Sequence, residues 1–285
     1  MKKSGVLLTV VFMCVSVLAG CTQSSTGTEE AVQPMEQQKE RTELIVFAAA
    51  SMTETLEQIV KAYEEKNPSV EITCNFDSSG TLKTQIEEGA ECDIFISAAQ
   101  KQMDQLDITS GSEKNPDGLD LVDHDTRIDL LENKVVLAVP DDNPKGIESY
   151  DDMVKGLKEK SILLAIGNED VPVGQYTQKI LEYYGLDENS LARDGLVTYG
   201  SNVKEVTTQI EEAAVDCGII YSTDAYSAKL TSVDTASAEM CGQVIYPAAV
   251  LKASKNPEEA GAFLEYLRGQ ESSGVFESVG FTVIR

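Results

Sequence analysis

Beyond residue 42 the chain alternates short apolar runs with segments of helical spacing. Leu44-Ile45-Val46-Phe47 predicts a buried strand, left through the turn Ala48-Ala49-Ala50-Ser51. Leu56, Ile59, Val60 and Tyr63 follow at helical intervals until Asn67-Pro68 stops the helix. Ser51 with Glu54 three residues on fits a capping box at its start. A second strand, 70–76, enters Asp77-Ser78-Ser79-Gly80-Thr81, and a helix carrying Leu82 and Ile86 runs from there to Gly89. Asp93-Ile94-Phe95-Ile96-Ser97 predicts a third strand. The pattern weakens over 110–129, an acidic stretch containing Gly, Pro and Asn that is expected to be an exposed connection. Strands are then expected at 134–140, 162–166, 196–199, 218–221 and 244–251, with helices at 174–184, 202–214 and 257–268. No internal repeat is evident.

Fully apolar strands separated by helices predict an α/β fold with parallel sheets covered on both faces. The long apolar runs near 135 and 247 bracket the second set of αβ units. They predict two lobes with a cleft between them: 43–133 plus 246–285, and 134–245. In open α/β sheets, ligands sit beyond the carboxyl ends of the strands, so the strand-to-helix turns are where chemistry is expected.

The first 42 residues follow a different pattern. Lys2 and Lys3 precede an apolar run from Val6 to Leu18 that ends in Ala19-Gly20-Cys21. This is the layout of a signal peptide, residues 1–20, and the run falls short of the ~20 apolar residues a permanent span needs. Leu18-Ala19-Gly20-Cys21 resembles the bacterial lipoprotein box, which implies that Cys21 is acylated and becomes the mature N-terminus. Residues 21–42, rich in Ser, Thr, Gln and Glu, then form a flexible lipidated tether. The folded part is expected to work outside the cytoplasm, anchored to the outer face of the cell membrane.

Charge and composition narrow the function. The 285 residues carry a formal charge of -25, and 42% are apolar, ample for two cores. Loss of Lys2 and Lys3 with the signal takes the charge to -27. Nucleic acid is excluded as a partner, because binding it requires clustered Lys and Arg. Cys74, Cys92, Cys217 and Cys241 are widely spaced, with no Cys-x-x-Cys pair to suggest zinc, and the sequence leaves their disulfide state open. His124 is the only histidine and no Gly-x-Ser-x-Gly elbow is present, so nucleophilic catalysis lacks material.

The turns carry oxyanion chemistry instead. Ser51 precedes the first predicted helix and Ser79 the second, while Val173 and Val203 open two more, Val203 directly after the expected cap Asn202. Uncapped amides at a helix start point outward with about half a positive charge, which suits anions. Tyr221, ending the strand Gly218-Ile219-Ile220-Tyr221, adds a phenolic donor. A serine at a helix start is also the usual capping residue, so each of these signals is weak alone. Together they describe a two-lobed binder of a small anion.

The same residues resemble a family. Val46-Phe47-Ala48-Ala49-Ala50-Ser51-Met52-Thr53, Phe76-Asp77-Ser78-Ser79-Gly80-Thr81-Leu82 and Asp93-Ile94-Phe95-Ile96-Ser97-Ala98 are similar to segments of the molybdate-binding proteins of molybdate ABC transporters. So are Val171-Pro172-Val173-Gly174-Gln175-Tyr176, Gly218-Ile219-Ile220-Tyr221-Ser222-Thr223-Asp224-Ala225, Tyr246-Pro247-Ala248-Ala249-Val250 and Gly280-Phe281-Thr282. The resemblance implies a two-lobed periplasmic-binding-protein fold of type II that is a carrier rather than an enzyme. It implies molybdate or tungstate as ligand, held by hydroxyls of Ser51, Ser79 and Tyr221 and amides of Val173 and Val203. It also implies an ABC permease as partner, no cofactor and no bare metal ion; a monomer is expected. The chain departs from the family at Gly80, where a third serine is usual, and at Ser222, where glycine is usual. The match around Val203 is loose, and the acidic stretch near 110–120 is longer than is common. Other readings are the same fold holding sulfate or phosphate, an exported hydrolase, and a tethered adhesin.

Overall fold

The first apolar run is the middle of a strand, β1 (Thr42–Ala49), in the computed structural model, which describes residues 41–285. Residues 1–20, Cys21 and the tether up to residue 40 lie outside the described residues. The strand begins two residues before its apolar core because the Thr42 amide bonds Ser69 O. A 3-10 turn, Ala50–Met52, leads into α1 (Thr53–Lys66), followed by β2 (Val70–Asp77), α2 (Ser79–Glu87), β3 (Ile94–Ile96) and α3 (Gln100–Asp104). Next come β4 (Ile128–Asn133), β5 (Val135–Val139), α4 (Tyr150–Lys158), β6 (Leu164–Gly167), α5 (Pro172–Tyr183) and α6 (Glu188–Arg193). The chain continues through β7 (Val197–Gly200), α7 (Val203–Glu211), β8 (Cys217–Tyr221), α8 (Ser222–Ser227) and β9 (Thr231–Thr235). It ends with α9 (Ala238–Cys241), β10 (Val244–Val250), α10 (Pro257–Leu267), α11 (Gln270–Ser278) and β11 (Thr282–Val283).

These strands form two sheets, ordered β11-β4-β10-β3-β1-β2 and β7-β6-β8-β5-β9. The parallel expectation holds only for three strands at one end of each sheet: β1 runs parallel to β2 and β3, and β6 to β7 and β8. Both sheets are mixed. β10 is antiparallel to β3 and β4, and β5 is antiparallel to β8 and β9. The reason is the route of the chain. It passes directly from β4 to β5 at Lys134 and returns through β10, so these strands have no crossover helix to bring them in parallel.

The acidic stretch is more ordered than its composition suggests. Val122 and Leu106 are fully buried in a cluster with Phe47, Leu82, Phe95 and Met103 on one face of the first sheet. The Arg127 guanidinium ties the stretch down through Asp104 at 2.6 Å and Asp107 at 2.9 Å. Its end is β4, whose charged Asp129 and Glu132 hide the strand in the sequence. Helix α4 also escaped the pattern reading, although Tyr150, Met153, Val154 and Leu157 lie at helical spacing and are buried. The other face of β1 belongs to a larger cluster spanning both sheets, with Leu44, Val46, Ile94, Leu137, Leu164 and Ile219 fully buried. Neighbouring residues Val46 and Phe47 thus bury opposite faces, as a doubly covered strand requires. Among the described residues, no helix is long and apolar enough to cross a membrane.

Candidate ligand-binding site

Three parallel strands of each sheet direct their carboxyl ends at one small cavity. Its wall is built by 49–51 after β1, 77–79 after β2, Ala98 after β3, Val171 and Pro172 after β6, Val203 after β7, and Tyr221 at the end of β8. The cavity measures about 10 Å³, near the ~10–15 Å³ that admits one water. Of the five residues singled out in the sequence, Ser51, Ser79, Val203 and Tyr221 share this wall. Val173 lies one residue beyond Pro172 on the same helix start and is fully buried.

The two serines are not caps. The 3-10 turn after β1 moves the start of α1, so its N-cap position falls on Met52 and no capping box forms. Ser51 Oγ instead lies 2.9 Å from the Tyr246 hydroxyl. At α2 the cap is Ser78, whose Oγ accepts from Thr81 N at 3.1 Å. Ser79 is the first helical residue, 1% exposed, and its Oγ accepts the Ala98 N–H at 2.9 Å. An oxygen that already accepts a backbone N–H has its own proton left to donate.

The second lobe contributes amides. Val173 is the second residue of α5 and Val203 the first of α7, so both N–H groups belong to the first turn, where the helix offers no acceptor. Asn202 caps α7 through its side chain to Glu205 N at 3.1 Å, which leaves the Val203 amide uncommitted by the cap. The approach of α5 to the sheet is close: a Cβ at Gly174 would meet Asn168 O at 2.3 Å. The lobes also approach each other across the cleft. Gly80 N–H donates to Asp170 O at 3.2 Å, and a Cβ at Gly80 would lie 2.2 Å from that oxygen. Only glycine permits this contact.

Tyr221 completes the wall. It is 1% exposed and its hydroxyl has no hydrogen-bond partner among the described residues. Burial pushes its pKa well above the usual 10, so it remains a neutral donor. Its ring meets Tyr246 edge-on at 5.8 Å and Tyr176 at 6.4 Å.

A charged cluster bridges the lobes. Lys204 of α7 contacts Glu54 of α1 at 2.8 Å and lies 3.3 Å from Asp224 Oδ1. Asp224 is 1% exposed, and burial pushes its carboxyl up to about 6. Asp77 also borders the cavity, but its Oδ1 turns back to accept the Ser78 N–H at 2.7 Å. A larger cavity of about 840 Å³ lies at the opposite, amino-terminal end of β1. Carboxylates of Glu43, Glu87, Glu91 and Asp93 line it together with Arg41 and Lys255, and none of the strand-end donors is among its lining residues. Size therefore does not identify the anion site; the donor set does. His124 sits at the surface beside Asp125, with neither serine among its partners.

Sequence and structure comparisons agree on the family. The model for bacterial extracellular solute-binding proteins matches residues 44–282. This chain belongs to that family. The solute-binding protein is 36% identical to the molybdate-binding protein ModA of Haemophilus influenzae over 244 residues, covering 83% of this chain and 89% of the relative. Its fold is similar to that of the periplasmic molybdate-binding protein of Azotobacter vinelandii, at 20% identity and a TM-score of 0.70, covering 85% of this chain and all of that one. The sulfate-binding protein SubI of Mycobacterium tuberculosis H37Rv shares the fold at 15% identity and a TM-score of 0.65, covering 86% and 88%. The protein is thus a two-lobed α/β binding protein of type II, with its ligand cleft between the lobes.

Tyr246, Asn133 and Lys204 were not visible as site residues in the sequence. The one available signal was a tyrosine inside the otherwise apolar Val244–Leu251 run.

Proposed function

We propose that this solute-binding protein captures molybdate or tungstate and delivers it to an ABC permease. The observation that carries the reading is the Tyr221 hydroxyl, buried without a partner among the described residues on the same wall as Ser79, whose oxygen already accepts the Ala98 amide. A wall of neutral donors lacks only an acceptor, and a tetrahedral oxyanion offers four. Ser51, Ser79 and Tyr221 would give hydroxyl bonds, and Val173 and Val203 amide bonds, each worth ~1.5–3 kcal/mol to an ionised ligand. The similarity to molybdate-binding proteins supports this choice of anion. No resident cofactor or bare metal ion is needed.

A cavity of about 10 Å³ is smaller than such an anion, so the lobes must part to admit it. The lobes are taken as 43–133 plus 246–285, and 134–245, hinged where β4 passes to β5 and where the chain returns before β10. The protein would act as a monomer outside the cytoplasm, held at the membrane by an acylated Cys21. Beyond a radius of ~8 Å its acidic surface is largely screened at physiological salt, so the charge mainly slows anion association. The test is thermal melting of the folded part with a panel of oxyanions, since a ligand at 100 times its Kd adds ~2.7 kcal/mol. Stabilisation by molybdate or tungstate well beyond that by sulfate or phosphate is expected. Equal or greater stabilisation by sulfate would assign the site to sulfate.

A further inference from the structure

Ser51 sits at the end of a chain of buried side chains in which every proton finds an acceptor when the hydrogen bonds run in one direction. Asn133, the last residue of β4, is 3% exposed and holds the point where the chain leaves the first sheet. Its Oδ1 accepts the Lys134 N–H at 2.8 Å and the Ser222 hydroxyl at 3.0 Å. A backbone N–H can only donate, so the atom facing it is the oxygen and the amide has one orientation. Its Nδ2 must then donate, to Thr223 Oγ1 at 3.0 Å and to the Tyr246 hydroxyl at 3.1 Å. A phenol has a single proton. Its oxygen could accept a second bond, but the proton needs an acceptor, and among the described residues Ser51 Oγ, 2.9 Å away, is the one hydrogen-bond partner the Tyr246 hydroxyl has besides Asn133, so the proton is assigned to Ser51. Ser51 is thereby made an acceptor on its inner side, and its own proton is released toward the cavity that it lines.

We propose that Asn133 and Tyr246 are positioning residues that fix Ser51 as a hydrogen-bond donor to the anion. The proposal rests on the oxyanion reading above and deepens it. Neither residue lines the cavity; both act through Ser51. Ser79 reaches the same state by a simpler route, the Ala98 amide. With both hydroxyls held as donors, the site favours an oxyanion that carries no proton, such as molybdate at neutral pH, over hydrogenphosphate, whose P–O–H needs an acceptor. The relay also joins the anion site to the crossing between the lobes, because Ser222 and Thr223 of α8 hold Asn133 from the second lobe.

Two variants read the relay. Tyr246→Phe frees Ser51 to rotate and is expected to weaken molybdate binding by about 10-fold. Asn133→Asp keeps the shape but replaces the donor with an acceptor. Tyr246 then gives its proton to the carboxylate, Ser51 donates to Tyr246, and lone pairs face the anion. A loss of at least about 100-fold for molybdate is expected. In both variants the ratio of molybdate to hydrogenphosphate affinity should fall by at least about 10-fold. A purely structural role, or a mere added charge, would leave that ratio unchanged and so overturn the proposal. Should the variants fail to fold, neutron diffraction of the wild-type protein decides: the deuterium between Tyr246 and Ser51 must lie on Tyr246. Finding it on Ser51 overturns the relay. Failure of the wild-type protein to bind any oxyanion would instead sink the function proposed above, while the neutron map still reads the relay.

Discussion

The adjacent serines at the start of α2 allow binding and folding to be separated by one residue. Ser79→Ala removes a hydroxyl whose oxygen accepts the Ala98 amide at 2.9 Å and whose proton is free for the ligand. Loss of one charge-assisted bond is worth ~1.5–3 kcal/mol, or roughly 10- to 150-fold in Kd. The same change strands the Ala98 N–H in a buried setting, which costs ~1–3 kcal/mol of stability. Ser78→Ala removes the true cap, whose Oγ serves Thr81 N at 3.1 Å. It should cost ~1 kcal/mol of stability and leave the Kd for molybdate nearly unchanged. Calorimetric titration of both variants, with melting curves, gives the four numbers needed. The reasoning fails if Ser79→Ala lowers only the melting temperature, or if Ser78→Ala weakens binding as much as Ser79→Ala does.

Tyr221→Phe should weaken molybdate binding by about 10- to 150-fold while leaving the melting temperature of the unliganded protein equal or higher, because a buried unpartnered hydroxyl is removed; a drop in that temperature would mean that the hydroxyl has a structural partner. Val173→Pro deletes an amide in the first turn of α5, where proline is tolerated, and should cost as much affinity as Ser79→Ala, whereas Val203→Ala keeps its amide and should change Kd by less than about 3-fold; equal effects in titration would refute the backbone assignment. Asp224→Asn addresses pH. The wild-type carboxyl is pushed up to about 6 by burial, with Lys204 and Glu54 as its charged neighbours. The folded state therefore holds the proton more tightly than the unfolded one, and stability is lost as pH rises from about 4 to 6. The stability of the variant relative to wild type, read from melting curves, should climb across that window by up to about 3 kcal/mol and then level; a difference independent of pH would refute it.

Most strand cores and the helices α1, α2, α5, α7 and α10 were legible, the strands because burial on both faces writes an unmistakable run of apolar residues, as at Leu44–Phe47 and Val135–Val139. Strand direction was not legible. β5 and β10 are as apolar as β1, and only the passage of the chain between sheets makes them antiparallel. β4 was lost to its own charges. At the site, the residue types announced neutral donors at strand ends, and Asn202 announced its cap. Which serine caps and which one points inward was settled by a one-residue offset: the 3-10 turn displaces Ser51 from α1, and Ser78 takes the capping position from Ser79. No local signal carries such an offset, because Ser78 and Ser79 are chemically identical.

What the sequence by itself determined was therefore local: most of the segments that bury, and that hydroxyls and first-turn amides gather at the turns. What only the tertiary structure decided was the direction of each hydrogen bond. Asn133 meets Tyr246 across 113 positions, and Tyr246 meets Ser51 across 195. A proton's direction depends on what the atom behind it is already bound to, and that atom is supplied by the fold.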